Sequence, residues 1–304
     1  MILGMDEAGR GPVFGPMVLA GVASDESSLE KLSLRDSKKC TKGMREKLFR
    51  EIKDVAERIE VIKVSSIEID RMRGSGRTMN DVEVGCFTKL IKKIDCDTIY
   101  IDSLAGDFKN RMQSSFPRKK LICEYKADEN YPIVSAASII AKVVRDRDMK
   151  KIEKRLRDRI SLPLGSGYTS DKTTIRFLEE WFKNFSYFPE HMRRSWKTSE
   201  RYMNERLSED LKRAIEIIEN EFNIENFDRT VLLKIGDKSF YFVTRNSKVF
   251  RIKENEPQIT IEMSWETFGN VTKGEMSLLK AYALRKIRVK ASPDDRLFIV
   301  KLLR

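Results

Sequence analysis

Asp6 and Glu7 are adjacent carboxylates that close the apolar run Ile2-Leu3-Gly4-Met5 and open onto Ala8-Gly9-Arg10-Gly11-Pro12. Hard divalent cations take oxygen ligands, so a carboxylate pair beside a donor-rich Gly-Arg-Gly loop is suited to hold such a cation next to a phosphate backbone. Taken alone, the pair equally fits a strand end finished by acidic turn residues. Successive residues of a regular strand face opposite sides, so both carboxylates reach one metal centre only if the strand breaks here. Gly9 and Gly11 permit that break. His191 is the only histidine, which excludes a two-histidine phosphodiester mechanism and leaves it as a surface or packing residue. The substrate class this pattern points to is nucleic acid.

The elements that must position these groups alternate in type. Ile2 to Met5, Val13 to Val22, Arg58 to Val64, Thr98 to Ile101 and Leu121 to Tyr125 are short, apolar and often β-branched, with charged helical segments such as Met44 to Ala56 and Val82 to Lys93 between them. This predicts an α/β domain with a mixed sheet. Asp102 then stands at the C-terminal end of a strand, where open α/β sheets place ligands. Asp128 precedes Tyr131-Pro132 and a helix expected from about Ser135 to Ile160. It either caps that helix or aims into a site at the positive end of its dipole.

Composition sets the scale. At 304 residues the chain is long for one compact domain and sufficient for two. The net charge is +12, with 40 Lys and Arg against 32 Asp and Glu up to residue 205 and 19 against 15 after it. A basic balance favours a polyanionic partner or reflects a basic proteome, and most of the excess lies with the candidate motifs. Cys40, Cys86, Cys96 and Cys123 form no Cys-x-x-Cys pair, which argues against a thiolate zinc site and a disulfide scaffold. With no charged leader and no long apolar run, the expectation is a cytoplasmic protein.

Six ordered motifs carry a family resemblance. Met5 to Val18 is similar to the opening signature of the type 2 ribonucleases H, and the similarity continues through Arg35-Asp36-Ser37-Lys38-Lys39, Thr98 to Asp102, Lys126-Ala127-Asp128, Val134 to Lys142 and Gly165-Ser166-Gly167-Tyr168. It covers roughly the first two thirds of the chain. The resemblance implies a ribonuclease H-like domain over residues 1–205 with a four-carboxylate site of Asp6, Glu7, Asp102 and Asp128 for two Mg²⁺ or Mn²⁺ ions. It further implies that Gly9, Arg10 and Gly11 read the ribose 2′-hydroxyl and place the arginine on phosphate, and that Tyr168 senses the junction where a ribonucleotide is followed by DNA. Lys38, Lys39 and Lys142, inside matching motifs, are candidates for backbone phosphates, which position a duplex without reading its sequence.

Beyond Arg201 the pattern changes. A helix from Leu207 to Asn220 is followed by strand-like runs Val231 to Ile235, Ser239 to Thr244, Lys248 to Ile252 and Gln258 to Met263, with Gly236-Asp237 and Asn246-Ser247 as hairpin turns. Helices Trp265 to Thr272 and Ser277 to Leu284, a strand Lys286 to Val289 and a terminal helix from Asp294 complete a smaller α+β domain over residues 206–304. The stretch from Ile259 to Lys290 resembles the later half of a sterol-carrier-protein-type domain, departing from that pattern at Leu284-Arg285 and Ala291. Two roles stay open, an apolar tunnel for a ligand or a simple core of Phe240, Phe242, Phe250, Met263, Trp265, Phe268, Met276 and Tyr282; a third is an accessory surface for substrate or a protein partner.

The expected function is a monomeric endoribonuclease acting on RNA–DNA hybrids and on single ribonucleotides in duplex DNA, giving 5′-phosphate and 3′-hydroxyl ends. Its rivals are a same-fold nuclease of branched DNA and a catalytically silent duplex-binding or lipid-responsive module.

Overall fold

The computed structural model describes residues 1–30, 32, 34, 41–102, 107–185, 188–205, 209, 212, 229–245, 248–252 and 256–296. It divides into two compact units, Met1–Phe177 with Pro189–Ser199 and Leu178–Phe188 with Glu200–Arg304.

In the first unit, β1 (Ile2–Ala8), β2 (Met17–Ser24), β3 (Arg58–Val64), β4 (Thr98–Asp102) and β5 (Lys120–Glu124) form one sheet in the order β3-β2-β1-β4-β5. β1 to β3 pair antiparallel, and β1, β4 and β5 pair parallel. β1 does not break at the carboxylates: it runs through Asp6 and Glu7 to Ala8, paired with Ala20, Leu19 and Val18. The second strand starts at Met17 rather than Val13, because Gly15 is left-handed (φ 84°) and Pro16 has no N–H for a ladder. Val13 and Gly15 instead donate to the carbonyls of Gly167 (2.8 Å) and His191 (3.0 Å).

Helices cover both faces of this sheet. Leu3, Met5 and Leu19 pack with Phe87, Leu90 and Ile91 of α4 (Met79–Lys93), while Val18, Ala20 and Val22 pack with Ala136, Ala137 and Ile140 of α7 (Pro132–Leu156). α7 begins three residues before the expected start, since Pro132 lacks only an N–H that a first turn leaves unused, and it ends at Leu156 rather than Ile160. Gly4 allows this helix to lie on β1: a Cβ there would stand 2.3 Å from the Ile133 carbonyl oxygen. α4 starts in a capping box, with Thr78 Oγ1 accepting from the Asp81 N–H (3.2 Å) and Asp81 accepting from the Thr78 N–H (2.7 Å).

In the second unit, β6 (Thr230–Ile235), β7 (Lys238–Arg245), β8 (Lys248–Ile252), β9 (Ile259–Met263) and β10 (Ile287–Lys290) form a sheet in the order β10-β9-β6-β7-β8. Only β6 and β9 pair parallel. The helix at Trp265–Thr272 starts where Ser264 Oγ accepts from the Thr267 N–H at 3.1 Å, and a shorter one spans Leu278–Ala283. Ile235, Phe240, Phe242 and Phe268 make the core with Val231, Leu233, Met263 and Trp265 packed on it. Met276 and Tyr282, expected in this core, are half-buried and outside the cluster. The side chain of Phe250, the Asn246-Ser247 turn and nearly all of the helix expected at Leu207 to Asn220 lie outside the described residues. Among the described residues, no helix is long and apolar enough to cross a membrane.

Candidate metal centre and substrate loop

Three elements deliver one carboxylate each. Asp6 follows Met5, which pairs in parallel register with Ile101, so Asp6 and Asp102 come side by side at the ends of β1 and β4. After β5 the chain turns through Lys126, a left-handed residue (φ 60°), into the one-turn helix α6 (Ala127–Asn130). That turn returns Asp128 to Asp102, whose Oδ1 accepts from the Ala127 N–H at 3.4 Å. Asp6, Asp102 and Asp128 each offer a carboxylate oxygen, and these lie within 4.8 Å of one another. Three oxygen donors at this spacing suit a hard divalent cation. Burial pushes the Asp6 carboxyl up to about 7, and the neighbouring Asp102 adds to the rise while Lys142 opposes it. Lys142 Nζ stands 4.0 Å from Asp128 Oδ2.

Glu7 is outside that triad. Strand parity sends Asp6 toward the α7 face, with Gly4, and Glu7 toward the α4 face, with Leu3 and Met5. The Glu7 carboxyl is raised well above the usual range by burial and by the negative charges of Asp6 and Glu83. Its backbone N–H donates to Asp6 Oδ1 at 2.7 Å.

The Gly-Arg-Gly loop follows directly. Gly9 is left-handed (φ 86°) and pressed on Arg145, whose Nε would be 2.3 Å from a Cβ at this position, so only glycine fits. The Arg10 guanidinium donates to Glu83 Oε2 (2.5 Å) and Asn80 Oδ1 (2.6 Å) of α4. In this structure it is held by the protein, and the loop presents its backbone. Glu83 is pushed up to about 7 by burial, with Arg10 opposing.

Tyr168 borders the same loop: its ring carbon Cε1 lies 3.9 Å from where a Cβ of Gly11 would be. The Arg145 guanidinium sits 5.2 Å from that ring's centre and donates to the carbonyls of Phe14 (3.3 Å) and Ser166 (3.0 Å). Asp171 braces the turn by accepting from the Ser166 N–H (2.7 Å), the Ser166 hydroxyl (2.8 Å) and the Thr173 N–H (2.9 Å). Those bonds from Ser166 hold the Asp171 carboxyl down at about 2.

A family model for ribonuclease HII matches residues 3–199. The chain belongs to the ribonuclease HII family. It is 41% identical over 228 residues to the ribonuclease HII of Pyrococcus abyssi, covering 72% of this chain and 96% of that one. Among solved structures, a PCNA:RNase HII complex from Archaeoglobus fulgidus matches with TM-score 0.60 and 39% identity over 66% of this chain and 96% of that one. The Aedes aegypti sterol carrier protein 2-like 2 structure matches 31% of this chain and 97% of its own at TM-score 0.25 and 12% identity.

The residues expected at the substrate side are only partly placed by the structure. Gly9, Arg10, Gly11, Lys142 and Tyr168 are placed as described above, whereas Lys38 and Lys39 lie outside the described residues. Glu83, Asn80 and Arg193 are not marked by local pattern. The Thr78-x-x-Asp81 capping signature locates α4 and, with it, the face carrying Asn80 and Glu83; no comparable signal marks Arg193. His191 is half-buried and left-handed (φ 63°), and burial lowers its imidazole pKa.

Proposed function

We propose that this ribonuclease HII is a metal-dependent endoribonuclease that cleaves the RNA strand of RNA–DNA hybrids and incises at single ribonucleotides embedded in duplex DNA, leaving 5′-phosphate and 3′-hydroxyl ends. The observation that carries this reading is the juxtaposition of the Asp6, Asp102 and Asp128 cluster with a loop whose backbone borders Tyr168. Asp6, Asp102 and Asp128 would hold one Mg²⁺ or Mn²⁺, and Glu7, on the other face of β1 but close enough to Asp6 and Asp102 for their charges to interact, would join them in holding the second of the two ions expected. When bound, such ions supply an activated water and neutralise charge on the scissile phosphate.

The chain's own residues do the rest. Gly9, Arg10 and Gly11 face the ribose 2′-hydroxyl, the group that separates RNA from DNA at a given site. The Tyr168 ring, 36% exposed, stacks at the ribonucleotide–DNA junction. Lys142, beside Asp128, takes a backbone phosphate, as do Lys38 and Lys39. In this reading residues 1–205 carry the catalytic domain and 206–304 an accessory domain.

The deciding experiment offers the full-length protein a DNA duplex with one ribonucleotide, with and without Mg²⁺. Incision only with metal, at the ribonucleotide, is the expected result. Cleavage of branched DNA lacking ribose would favour the same-fold nuclease, and binding without turnover in any metal would favour the silent module.

A further inference from the structure

Arg193 is the most deeply buried charged side chain among the described residues, with 0% exposure. Burying a guanidinium is costly unless its donors are met, and no carboxylate lies within ion-pair distance of it among the described residues. Its donors go to backbone carbonyls instead: Nη2 to Gly9 O (2.5 Å), Nη1 to Arg10 O (2.7 Å), and both Nε (3.1 Å) and Nη2 (3.0 Å) to Gly15 O. The Trp196 ring stacks 4.9 Å from the guanidinium and donates its Nε1–H to Gly11 O at 3.0 Å. Three consecutive carbonyls, of Gly9, Arg10 and Gly11, are therefore taken by two side chains more than 180 positions away in sequence.

This arrangement has a direct consequence for the loop's N–H groups. Across a trans peptide the C=O of one residue and the N–H of the next point in opposite directions. Fixing the carbonyls of Gly9 and Arg10 on Arg193 turns the N–H groups of Arg10 and Gly11 away from it. Neither of those N–H groups donates to another described residue. The buried positive charge on the carbonyl side also polarises both peptides, strengthening the outward N–H donors.

The clamp is itself anchored. The Arg193 N–H donates to Val13 O (2.7 Å), and its carbonyl accepts from Ser199 Oγ (2.6 Å). Asp70 of α3 (Ser66–Gly74) accepts from the backbone N–H groups of Arg194 (2.8 Å) and Ser195 (3.0 Å) and from Ser195 Oγ (2.6 Å).

We propose that Arg193, with Trp196, is the positioning residue of the Gly-Arg-Gly loop, holding the Arg10 and Gly11 N–H groups toward the 2′-hydroxyl of the substrate ribonucleotide. This rests on the reading given under Proposed function. Lysine keeps the charge but has neither the planar fork nor the reach to three carbonyls, so Arg193→Lys separates charge from geometry. Trp196→Phe keeps the ring and deletes one donor.

The test measures kcat and KM of the full chain on a duplex with one ribonucleotide, Mn²⁺ affinity by calorimetry, and affinity for ribonucleotide-containing against all-DNA duplex in Ca²⁺. With Mn²⁺ affinity unchanged, Arg193→Lys is expected to lower kcat/KM by roughly 10–100-fold, the scale of losing an outer partner that orients the contacting groups, and to erode the preference for ribose. Trp196→Phe should do the same more weakly. An Arg193→Lys protein that binds Mn²⁺ normally and cleaves within twofold of wild type overturns the proposal, as does equal loss of affinity for both duplexes. If Arg193→Lys does not fold, Trp196→Phe decides, and unchanged ribose preference in that variant overturns it. A wild-type protein that shows no ribose preference would instead sink the functional reading itself, so the two failures are distinguishable.

Discussion

Both units are built on five-stranded mixed sheets, and they bury different things. The first unit places Asp6, Glu83, Asp128, Arg145 and Arg193 out of solvent around the ends of its strands. The second unit's core is Ile235, Phe240, Phe242 and Phe268. Its buried charge among the described residues, Asp295, is paired with Arg229 at 2.8 Å and bonded by the Ser292 hydroxyl. Burying charge is unfavourable unless it is compensated, and in the first unit Asp6, Asp102 and Asp128 bring carboxylate oxygens within 4.8 Å of one another, with Lys142 4.0 Å from Asp128. Carboxylates gathered this closely match the oxygen-donor set that a hard divalent cation takes. A unit whose buried groups are apolar or already paired is one arranged for packing.

Neutralising one member of the triad removes the feature that sets the first unit apart from the second. Asp102→Asn should lower cleavage by 10³-fold or more, since metal-held charge stabilisation is worth several kcal/mol. The same change keeps an oxygen for the Ala127 N–H and relieves repulsion against Asp6, so the thermal midpoint of the chelated protein should stay the same or rise. A variant that cleaves within a few-fold of wild type would show that the cluster is not the reacting centre.

The converse test is made in the second unit. Phe268→Ala should destabilise that unit by about 3–5 kcal/mol through lost burial and the cavity left behind, read by denaturation and by hydrogen exchange of β6 and β7. Turnover on a saturating hybrid should not change. A parallel fall in kcat would mean that the packed unit contributes to the chemistry.

Smaller effects sharpen the picture of the loops. Tyr168→Ala should cost about 1–3 kcal/mol on a single embedded ribonucleotide, the range for loss of one base–aromatic stack, and less on a continuous RNA strand, which offers other registers. Equal losses on the two substrates would reassign Tyr168 to holding the turn. Asp171→Asn should cost on the order of 1 kcal/mol at neutral pH, as for loss of a capping carboxylate. Because the folded-state pKa of Asp171 is depressed to about 2 from an ordinary value near 3.8, its stabilisation is present above pH 4 and lost as pH falls toward 2. The wild-type advantage over Asp171→Asn in denaturant should therefore shrink across that window, and a constant difference would show that the carboxylate charge plays no part.

Much of this enzyme is written locally. Short apolar, often β-branched runs announced β1, β3, β4 and β5, strand-like runs announced β6 to β9 of the second sheet, and the helix at Trp265 to Thr272 matches the observed one residue for residue. Such patterns repeat every two to four residues, so a short window contains them. The ordered motifs from Met5 to Tyr168 carried the family, because each keeps its residues within a few positions of one another.

Tertiary structure alone decided how those pieces meet. Adjacency in sequence joins Asp6 to Glu7, but an unbroken strand sends them to opposite faces, and the partners of Asp6 are Asp102 and Asp128. Nothing near Arg10 foretold that Glu83 and Asn80 would hold its guanidinium. Arg193 lies in an unremarkable basic stretch, yet its hydrogen bonds reach carbonyls 178 to 184 positions away. The physical reason is common to all three. A backbone carbonyl has the same chemistry in every residue, and a contact across the fold depends on where strands and helices converge, so no local spacing records it.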